Sequence, residues 1–308
     1  MKTILGLILT AALAAAAQAG PVMPLNEADF SGAVSGALKS FAPQAAAVRA
    51  SIDNDDLRDM LADRDPAVRQ AALVTARDHM GDSRIRDLVR DMARDGREET
   101  AVRREAVRTL LWGSHYSEIR EFLMELARSE RDVPVRVMAC KVLYFAASSQ
   151  SDARDRLLDL AKRERQPEVR AAAVWALFDA TNHSEVRDAL KDIAFGSYDS
   201  EDLRVEALKS LYTAMNQSEV KDKVYDVARS AYGSRAVRVA AVYALSAVAG
   251  DSRVRDLLEE IARRESDQEL RVAAVRAQSL DVQFFRTYFH LGYRLAPHGP
   301  YISPIVNE

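Results

Sequence analysis

Apolar positions recur at helical spacing in two adjacent segments of residues 167–194. The first segment has them on one side of an α-helix: Val169, Ala173, Val174 and Leu177. The second segment has them on one side of another helix: Val186, Leu190 and Ile193. Ser184 precedes the second set and is predicted to cap this helix, because a serine oxygen accepts backbone N–H groups at a helix start. Two helices with one apolar side each cannot close a core alone, so the pair is predicted to stack on copies of itself.

Copies of the pair are visible along most of the chain. An apolar residue followed by arginine recurs every 33 or 34 residues, and the arginines are Arg69, Arg103, Arg136, Arg170, Arg204, Arg238 and Arg271. Three residues after each arginine stands an alanine: Ala72, Ala106, Ala139, Ala173, Ala207, Ala241 and Ala274. The unbroken alanine column predicts that a neighbouring helix backbone comes close at this position and leaves no room for a larger side chain.

The second helix of each copy also has a repeating pattern. It begins with a serine at Ser83, Ser117, Ser151, Ser184, Ser218 and Ser252. A basic residue follows each serine at the third position, and acids follow at the fourth and eighth positions. Further basic residues stand near the second acid, so a solvated face of mixed charge is the favoured interpretation, and a cation-binding groove is the alternative.

The segment DPAVRQAAL at residues 65–73, with weaker echoes up to about residue 279, resembles HEAT repeats of the short kind. Tetratricopeptide repeats share the period, but their Trp/Leu-Gly/Tyr signature is absent. The resemblance implies an all-α, right-handed α-α superhelix, a HEAT-like solenoid of about seven helical-hairpin repeats with N- and C-terminal capping segments. It also implies that an acid in the turn before each first helix pairs with the arginine. The turn before Arg238, residues 230–234, has no acid, so we expect the ladder of pairs to be interrupted there.

The chain is predicted to have four parts. Residues 1–19 have a basic Lys2, an apolar stretch and the small-residue site Ala17-Gln18-Ala19, features typical of a signal peptide cleaved after Ala19. Residues 20–62 are an N-terminal helical cap, in which Asp53 caps a short helix through Leu61. Residues 63–279 are the HEAT-like repeat array, and residues 280–308 are an aromatic-rich C-terminal helix and tail. The mature protein is expected to be periplasmic or secreted, with no membrane span after cleavage.

Charge and cysteine content narrow the function. The formal net charge is −3, and this charge together with the export signal argues against nucleic acid as a partner. Cys140 is the single cysteine, so no intramolecular disulfide can form. It stands in a column otherwise filled by valine and leucine, which predicts a buried apolar role.

No catalytic residues, metal site or cofactor can be assembled from the sequence. The five histidines occupy unrelated positions in the repeats. Ser218 and Lys221 match the SxxK pattern of penicillin-recognising hydrolases, but they are one copy of the serine column, and the companion motifs are missing. Some HEAT-like proteins do act on substrates, phycobilin lyases and certain DNA glycosylases among them. A lyase or hydrolase with a dispersed active site is therefore the enzymatic alternative.

The most suggestive binding feature lies five residues after the repeat arginines. This column contains cations and rings: Arg108, Lys141, Trp175, Lys209, Tyr243 and Arg276. At 100° per residue it points away from the apolar side of its helix, and the resemblance places it on a concave surface. Neighbouring rings would add an apolar wall: Tyr144, Phe178 and Tyr212. The column is predicted to hold another protein or peptide of acidic character, or an anionic glycan, and an ordinary solvated face is the alternative.

The C-terminal segment carries a second cluster of rings: Phe284, Phe285, Tyr288 and Phe289. A helix whose rings cap the last repeat is the favoured interpretation. A docking site for a partner is the alternative, because rings give large contact area at low entropic cost.

These inferences together favour an exported HEAT-repeat protein that acts as a non-catalytic protein-protein interaction scaffold or adaptor. The alternatives are a HEAT-like lyase or hydrolase and a self-associating structural scaffold.

The alanine column gives a direct test of the predicted stacking. The change Ala207→Phe is expected to overpack the contact between adjacent helices and to lower the free energy of unfolding by about 1–3 kcal/mol. Thermal or urea denaturation measures the effect. Ala101→Phe, at a position outside the alanine column, is the control. An unchanged stability of the Ala207→Phe variant would contradict stacking through this column.

Overall fold

The structure is a computed structural model, and it describes residues 52–230, 233–279 and 288. These residues contain fourteen α-helices, five short 3-10 helices and no strand. The chain divides into two compact units, residues 1–56 and residues 57–308. Only residues 52–56 of the first unit are described, and residues 20–51 of the predicted N-terminal helical cap lie outside the described residues. No described helix combines the length and the apolar character needed to cross a bilayer.

The helices follow the predicted alternation of first and second helices. A short helix, α1 (Asn54–Leu61), precedes the repeats. The first helices are α2 (Pro66–Ala76), α4 (Thr100–Thr109), α6 (Val133–Ala147), α8 (Pro167–Ala176), α10 (Glu201–Ser210), α12 (Arg235–Leu245) and α14 (Gln268–Ser279). The second helices are α3 (Ser83–Arg94), α5 (Ser117–Ser129), α7 (Ser151–Arg163), α9 (Ser184–Phe195), α11 (Ser218–Arg229) and α13 (Ser252–Arg264). The predicted all-α HEAT-like solenoid is confirmed.

Among the described helices, extensive contacts lie only within a repeat or between adjacent repeats. Each first helix packs against the first helix of the next repeat, from α2 against α4 to α12 against α14. Each second helix packs most closely against the following first helix, for example α9 against α10. The two helices of a closely packed hairpin are therefore α9 and α10, whereas the sequence analysis paired α8 with α9. The reason is a 3-10 turn, Phe178–Ala180, that separates α8 from α9.

The alanine column lies in the core between adjacent first helices. All its members are buried, and Ala207 is fully buried. Hydroxyl groups strengthen the same contact at two places, where Thr109 Oγ1 donates to the carbonyl of Leu73 at 3.0 Å and Ser210 Oγ donates to the carbonyl of Val174 at 3.0 Å. The small side chains thus allow one helix to approach the next closely enough for these hydrogen bonds.

The repeat arginines form ion pairs between repeats, but with the acid in the turn of the following repeat. The pairs are Arg69–Glu98 at 2.6 Å, Arg103–Glu130 at 2.6 Å, Arg136–Glu164, Arg170–Asp199 at 2.6 Å and Arg238–Glu265 at 2.6 Å. The expected interruption at Arg238 is therefore wrong. The acid-free turn of residues 230–234 interrupts the ladder at Arg204 instead, because that turn follows Arg204 by one repeat.

A second ladder connects the second helices. Arg86 donates to the carbonyl of Met80 at 2.8 Å, and Arg187 donates to the carbonyl of Thr181 at 2.9 Å, so each closes the turn before its own helix. The column also pairs with acids at the start of the next second helix: Arg86–Glu118 at 3.6 Å, Arg120–Asp152 at 4.0 Å, Arg154–Glu185 at 3.2 Å, Arg187–Glu219 at 3.6 Å and Lys221–Asp251 at 2.6 Å. The basic column of the sequence therefore joins repeats to one another.

Helix starts differ in one detail from the sequence-based expectation. Asp53 caps α1 as predicted, since its Oδ1 accepts from the backbone N of Asp55 at 2.9 Å and of Asp56 at 2.8 Å. Ser184 is the first helical residue of α9, and the cap position is His183, which has extended backbone angles. The serine column marks the first residue of each second helix, and the predicted capping role of Ser184 is wrong.

The carboxylate of the ladder residue Glu164 is held in its charged form. Burial opposes the charge of Glu164, but backbone N–H donors at Gln166 and Arg165 and the guanidinium of Arg136 outweigh it, so the pKa of Glu164 is lowered. A lowered pKa in the folded state means that the pair contributes stability above the unfolded pKa of about 4.3. That contribution is lost as the pH falls through the lower, folded pKa.

The change Glu164→Gln is expected to lower the free energy of unfolding at pH 7 by about 2 kcal/mol, because it leaves a largely buried guanidinium without its charged partner. Glu125→Gln is the matched control, since Glu125 pairs with Arg94 at 3.0 Å between two mostly exposed side chains. It should cost less than about 1 kcal/mol. Urea unfolding measures both, and the effect of Glu164→Gln should shrink in acid. Equal losses for the two variants would contradict the ladder's role.

Candidate binding site on the first helices

The predicted binding column lies along one face of the first helices. We call this set the stripe: Arg108, Lys141, Trp175, Lys209, Tyr243 and Arg276, with the flanking rings Tyr144, Phe178 and Tyr212. Each column residue comes from a different first helix, from α4 to α14. Since successive first helices pack side by side, equivalent side chains of neighbouring repeats become lateral neighbours.

Four of the five aromatic members of the stripe are buried. Trp175 is 7% exposed and Tyr243 is 5% exposed, and the rings of Tyr144 and Phe178 are also buried. The ring of Trp175 lies 5.2 Å from that of Tyr144, and Lys141 Nζ stands 6.0 Å from its centre. The expectation that Trp175 points outward is wrong. Adjacent first helices are so close that a large side chain at this position lies across its neighbour, where it is covered.

Further contacts join the rings of neighbouring repeats. The rings of Phe178 and Tyr212 stack at 6.4 Å, and the hydroxyl of Tyr144 donates to the carboxylate of Asp179. Burial raises the pKa of Tyr212, with a hydrogen bond to Ser246 acting in the opposite direction. The rings therefore form a connected wall that spans several repeats and holds the stripe in one arrangement.

The cations of the stripe are accompanied by acids. Glu105 accepts from Arg108 at 3.1 Å and from Arg77 at 2.8 Å, and the Arg77 guanidinium lies 4.7 Å from the ring of Trp112. The sequence analysis did not single out Arg77 and Trp112. They stand three and four residues, respectively, after the stripe position of their own repeats. Burial lowers the pKa of Arg108, and the charge of Glu105 opposes that change.

A cation of the stripe beside an acid three residues earlier also occurs in α10. Lys209 Nζ lies 3.7 Å from the carboxylate of Glu206, and both side chains are partly exposed. Arg276 is exposed on α14. The stripe is thus a basic edge above a buried aromatic wall, with Glu105 and Glu206 reducing its positive charge.

The C-terminal cluster meets the stripe at one described residue. The ring of Tyr288 lies 4.6 Å from that of Tyr243, and Lys209 Nζ stands 4.8 Å from its centre. Burial raises the pKa of Tyr288. Phe284, Phe285 and Phe289 lie outside the described residues. The two candidate sites that the sequence separates therefore share a contact at Tyr288, on side chains of α10 and α12.

The reactive side chains are dispersed through the described part of the chain. Cys140 is completely buried, and burial raises the pKa of its thiol to about 12. The ring of His183 lies 3.1 Å from the carbonyl of Ser148 and 3.3 Å from Arg154 Nη1, so it helps to connect two turns. In residues 52–230 and 233–279 no three His, Cys, Asp or Glu side chains come together as a metal site would require.

Comparison with known proteins agrees with this architecture. A family model for HEAT repeats matches residues 97–178 and 120–199, which contain α4 to α9, so this part of the chain consists of HEAT repeats. No curated protein matches the sequence significantly.

Two solved structures show a distant similarity to the chain. One is the complex of CpcE and CpcF of phycocyanin lyase from Nostoc sp. PCC7120, with a TM-score of 0.44 and 15% identity, covering 78% of this chain and 95% of that chain. The other is human deoxyhypusine hydroxylase in complex with glycerol, with a TM-score of 0.34 and 17% identity, covering 79% of this chain and 90% of that chain. Neither similarity assigns a substrate or partner to this protein.

The burial of Cys140 can be tested with a thiol reagent, because the chain has no other cysteine. The native protein is expected to react far more slowly than the urea-unfolded protein, since the thiol is covered and the thiolate is the reactive form. The variant Ser151→Cys, at an exposed position of the same repeat, is the control and should react once per molecule in the native state. Rapid labelling of native Cys140 would contradict the structural role.

Proposed function

We propose that this HEAT-repeat protein is an exported, non-catalytic scaffold that binds an acidic segment of another protein along the stripe. The observation that carries the proposal is the register of the stripe. One column of basic and aromatic residues continues through successive first helices that are in direct contact. An extended peptide passing across the repeats would meet equivalent side chains at each step.

Rigidity supports binding at this surface. The rings of Tyr144, Trp175, Phe178 and Tyr212 hold one another through contacts between repeats. Side chains that are already ordered lose little conformational entropy when a ligand binds. The charged ends of Lys141 and Lys209 remain partly exposed above this wall. They can approach a carboxylate without rearrangement of the helices.

The burial of the rings favours a peptide over a glycan as ligand. Stacking of a sugar requires an accessible aromatic face, and Trp175 and Tyr243 are 7% and 5% exposed. An acidic peptide needs only the charged edge of the stripe and hydrogen bonding to it.

Export is a separate part of the proposal and rests on residues 1–19. Their basic start, apolar stretch and Ala17-Gln18-Ala19 site have the order that signal peptidases recognise. Cleavage after Ala19 would deliver the repeats to the periplasm or the medium. A partner would then be another exported or surface protein.

Charge reversal tests the binding surface. The double variant Lys141→Glu, Lys209→Glu is expected to bind a fluorescent deca-glutamate peptide about tenfold more weakly than the unchanged protein, because two attractions become repulsions. Fluorescence anisotropy at low salt measures the dissociation constant, and circular dichroism checks the fold. The matched control is Arg128→Glu, Lys162→Glu, which makes the same charge change at exposed positions of the second helices α5 and α7.

The outcomes separate the candidates. Equal affinity of the double variant and the control would show that the stripe does not hold the peptide. Binding of a sulfated oligosaccharide in place of the peptide would assign the surface to an anionic glycan. Self-association that is detected by light scattering and lost in the double variant would favour a structural scaffold.

A further inference from the structure

Among the described residues, two of the seven repeat arginines have no carboxylate partner: Arg271, which has no described repeat after it, and Arg204, which lies inside the array. Five other repeat arginines pair with a carboxylate in the turn of the following repeat. Within the part of the chain that the structure describes, Arg204 forms no ion pair. The residues at the corresponding distance along the chain, 231–233, are Ala-Tyr-Gly and supply no carboxylate. The open position at Arg204 is therefore a property of the sequence of that turn.

Arg204 is nevertheless held in the same way as three of the five paired arginines. Its Nε donates to the carbonyl of Ala194 at 3.2 Å. The equivalent bonds in the paired repeats are Arg103 to Ala93 at 3.1 Å, Arg136 to Ala127 at 3.0 Å and Arg170 to Ala161 at 2.7 Å. This shared hydrogen bond fixes the plane of the guanidinium. The terminal nitrogens of Arg204 are thus oriented as in the repeats where a carboxylate accepts from them.

A cleft of about 320 Å³ opens beside Arg204, and its other lining residues include Phe195, Lys223, Ser234 and Arg238. The volume is at the lower end of the range for small-ligand sites. The cleft therefore lies where the other repeats have their own acid, and it has room for a side chain from another molecule.

The charges around the cleft favour an anion. Arg204 and Lys223 contribute positive charge, and Asp226 is the single acid among its described lining residues. Arg238 also lines the cleft, but its own charge is neutralised by Glu265 at 2.6 Å. Ser234 is engaged with Glu201 through its hydroxyl. Asp226 and Glu201 equal Arg204 and Lys223 in number, so it is the guanidinium of Arg204, which has no ion pair among the described residues, that favours an anion.

We propose that the cleft at Arg204 binds a carboxylate side chain of a partner protein, in the position that the chain's own acid occupies in the other repeats. The planar guanidinium offers two parallel N–H groups that match the two oxygens of a carboxylate. Phe195 provides an apolar surface for the methylene groups of a glutamate. The site lies at the first turn of α10 and does not depend on ligand binding at the stripe.

The experiment uses the full chain and the peptide Ac-Ala-Ala-Glu-Ala-Ala-NH2, with the glutamine version of the same peptide as its neutral control. Titration followed by NMR chemical shifts measures both dissociation constants. The glutamate peptide is expected to bind about tenfold more tightly or better, as the loss of a charge-assisted hydrogen bond predicts. The change Arg204→Gln should remove this preference. The double variant Lys141→Glu, Lys209→Glu should retain it, which distinguishes this site from the stripe.

A second variant supplies the missing carboxylate from the chain itself. Gly233→Glu places a carboxylate 29 residues after Arg204, the spacing of the Arg69–Glu98 pair. A Cβ atom at Gly233 would meet no atom within 4 Å, so the new side chain can be accommodated. This variant is expected to have a higher melting temperature than the unchanged protein and to lose the preference for the glutamate peptide. It remains a test even if Arg204→Gln lowers stability.

Three results would overturn the assignment. The first is equal binding of the glutamate and glutamine peptides to the unchanged protein. The second is a preference for the glutamate peptide that survives in both Arg204→Gln and Gly233→Glu. The third is Arg204-dependent binding of inorganic phosphate without binding of the glutamate peptide, which would assign the cleft to a different anion.

Discussion

The close approach of neighbouring first helices at the alanine column is the constraint on which the structure depends. A methyl group at Ala207 or its equivalents lets one helix lie against the next, and hydroxyls such as that of Ser210 can then reach a carbonyl of the preceding repeat. The same proximity covers Trp175 and Tyr243. The contact that builds the core therefore also decides which side chains of the stripe reach solvent.

Ion pairs also connect each stacked repeat to the next one along the chain. The ladder from Arg69 to Glu265 and the second ladder beginning at Arg86 both join a basic residue of one repeat to an acid of the next. Largely buried pairs of this kind oppose a wrong register, because it would leave a charge without its partner. The open position at Arg204 is informative for this reason. Arg204 has the same oriented guanidinium as three of the paired arginines, but the turn that follows it contains no acid.

The two proposed sites depend on the repeats in different ways. The stripe depends on their similarity, since similar side chains from successive repeats become neighbours and form one continuous surface. The cleft at Arg204 depends on a difference between them, since the acid-free turn of residues 230–234 supplies no carboxylate for Arg204. Both favour acidic protein segments, and they lie on different parts of the first helices. A partner that carries several carboxylates could contact both.

The sequence by itself determined the class of fold and the alternation of first and second helices, because helical periodicity and a repeat of 33 or 34 residues are local properties of the chain. The tertiary structure decided how repeats meet. In the structure, a repeat arginine contacts the turn of the following repeat. Arg238 therefore pairs with Glu265, and the acid-free turn is the one that follows Arg204. Burial of Trp175 likewise depends on Tyr144 and Lys141 of the preceding repeat, whose distance from it is set by stacking and not by periodicity.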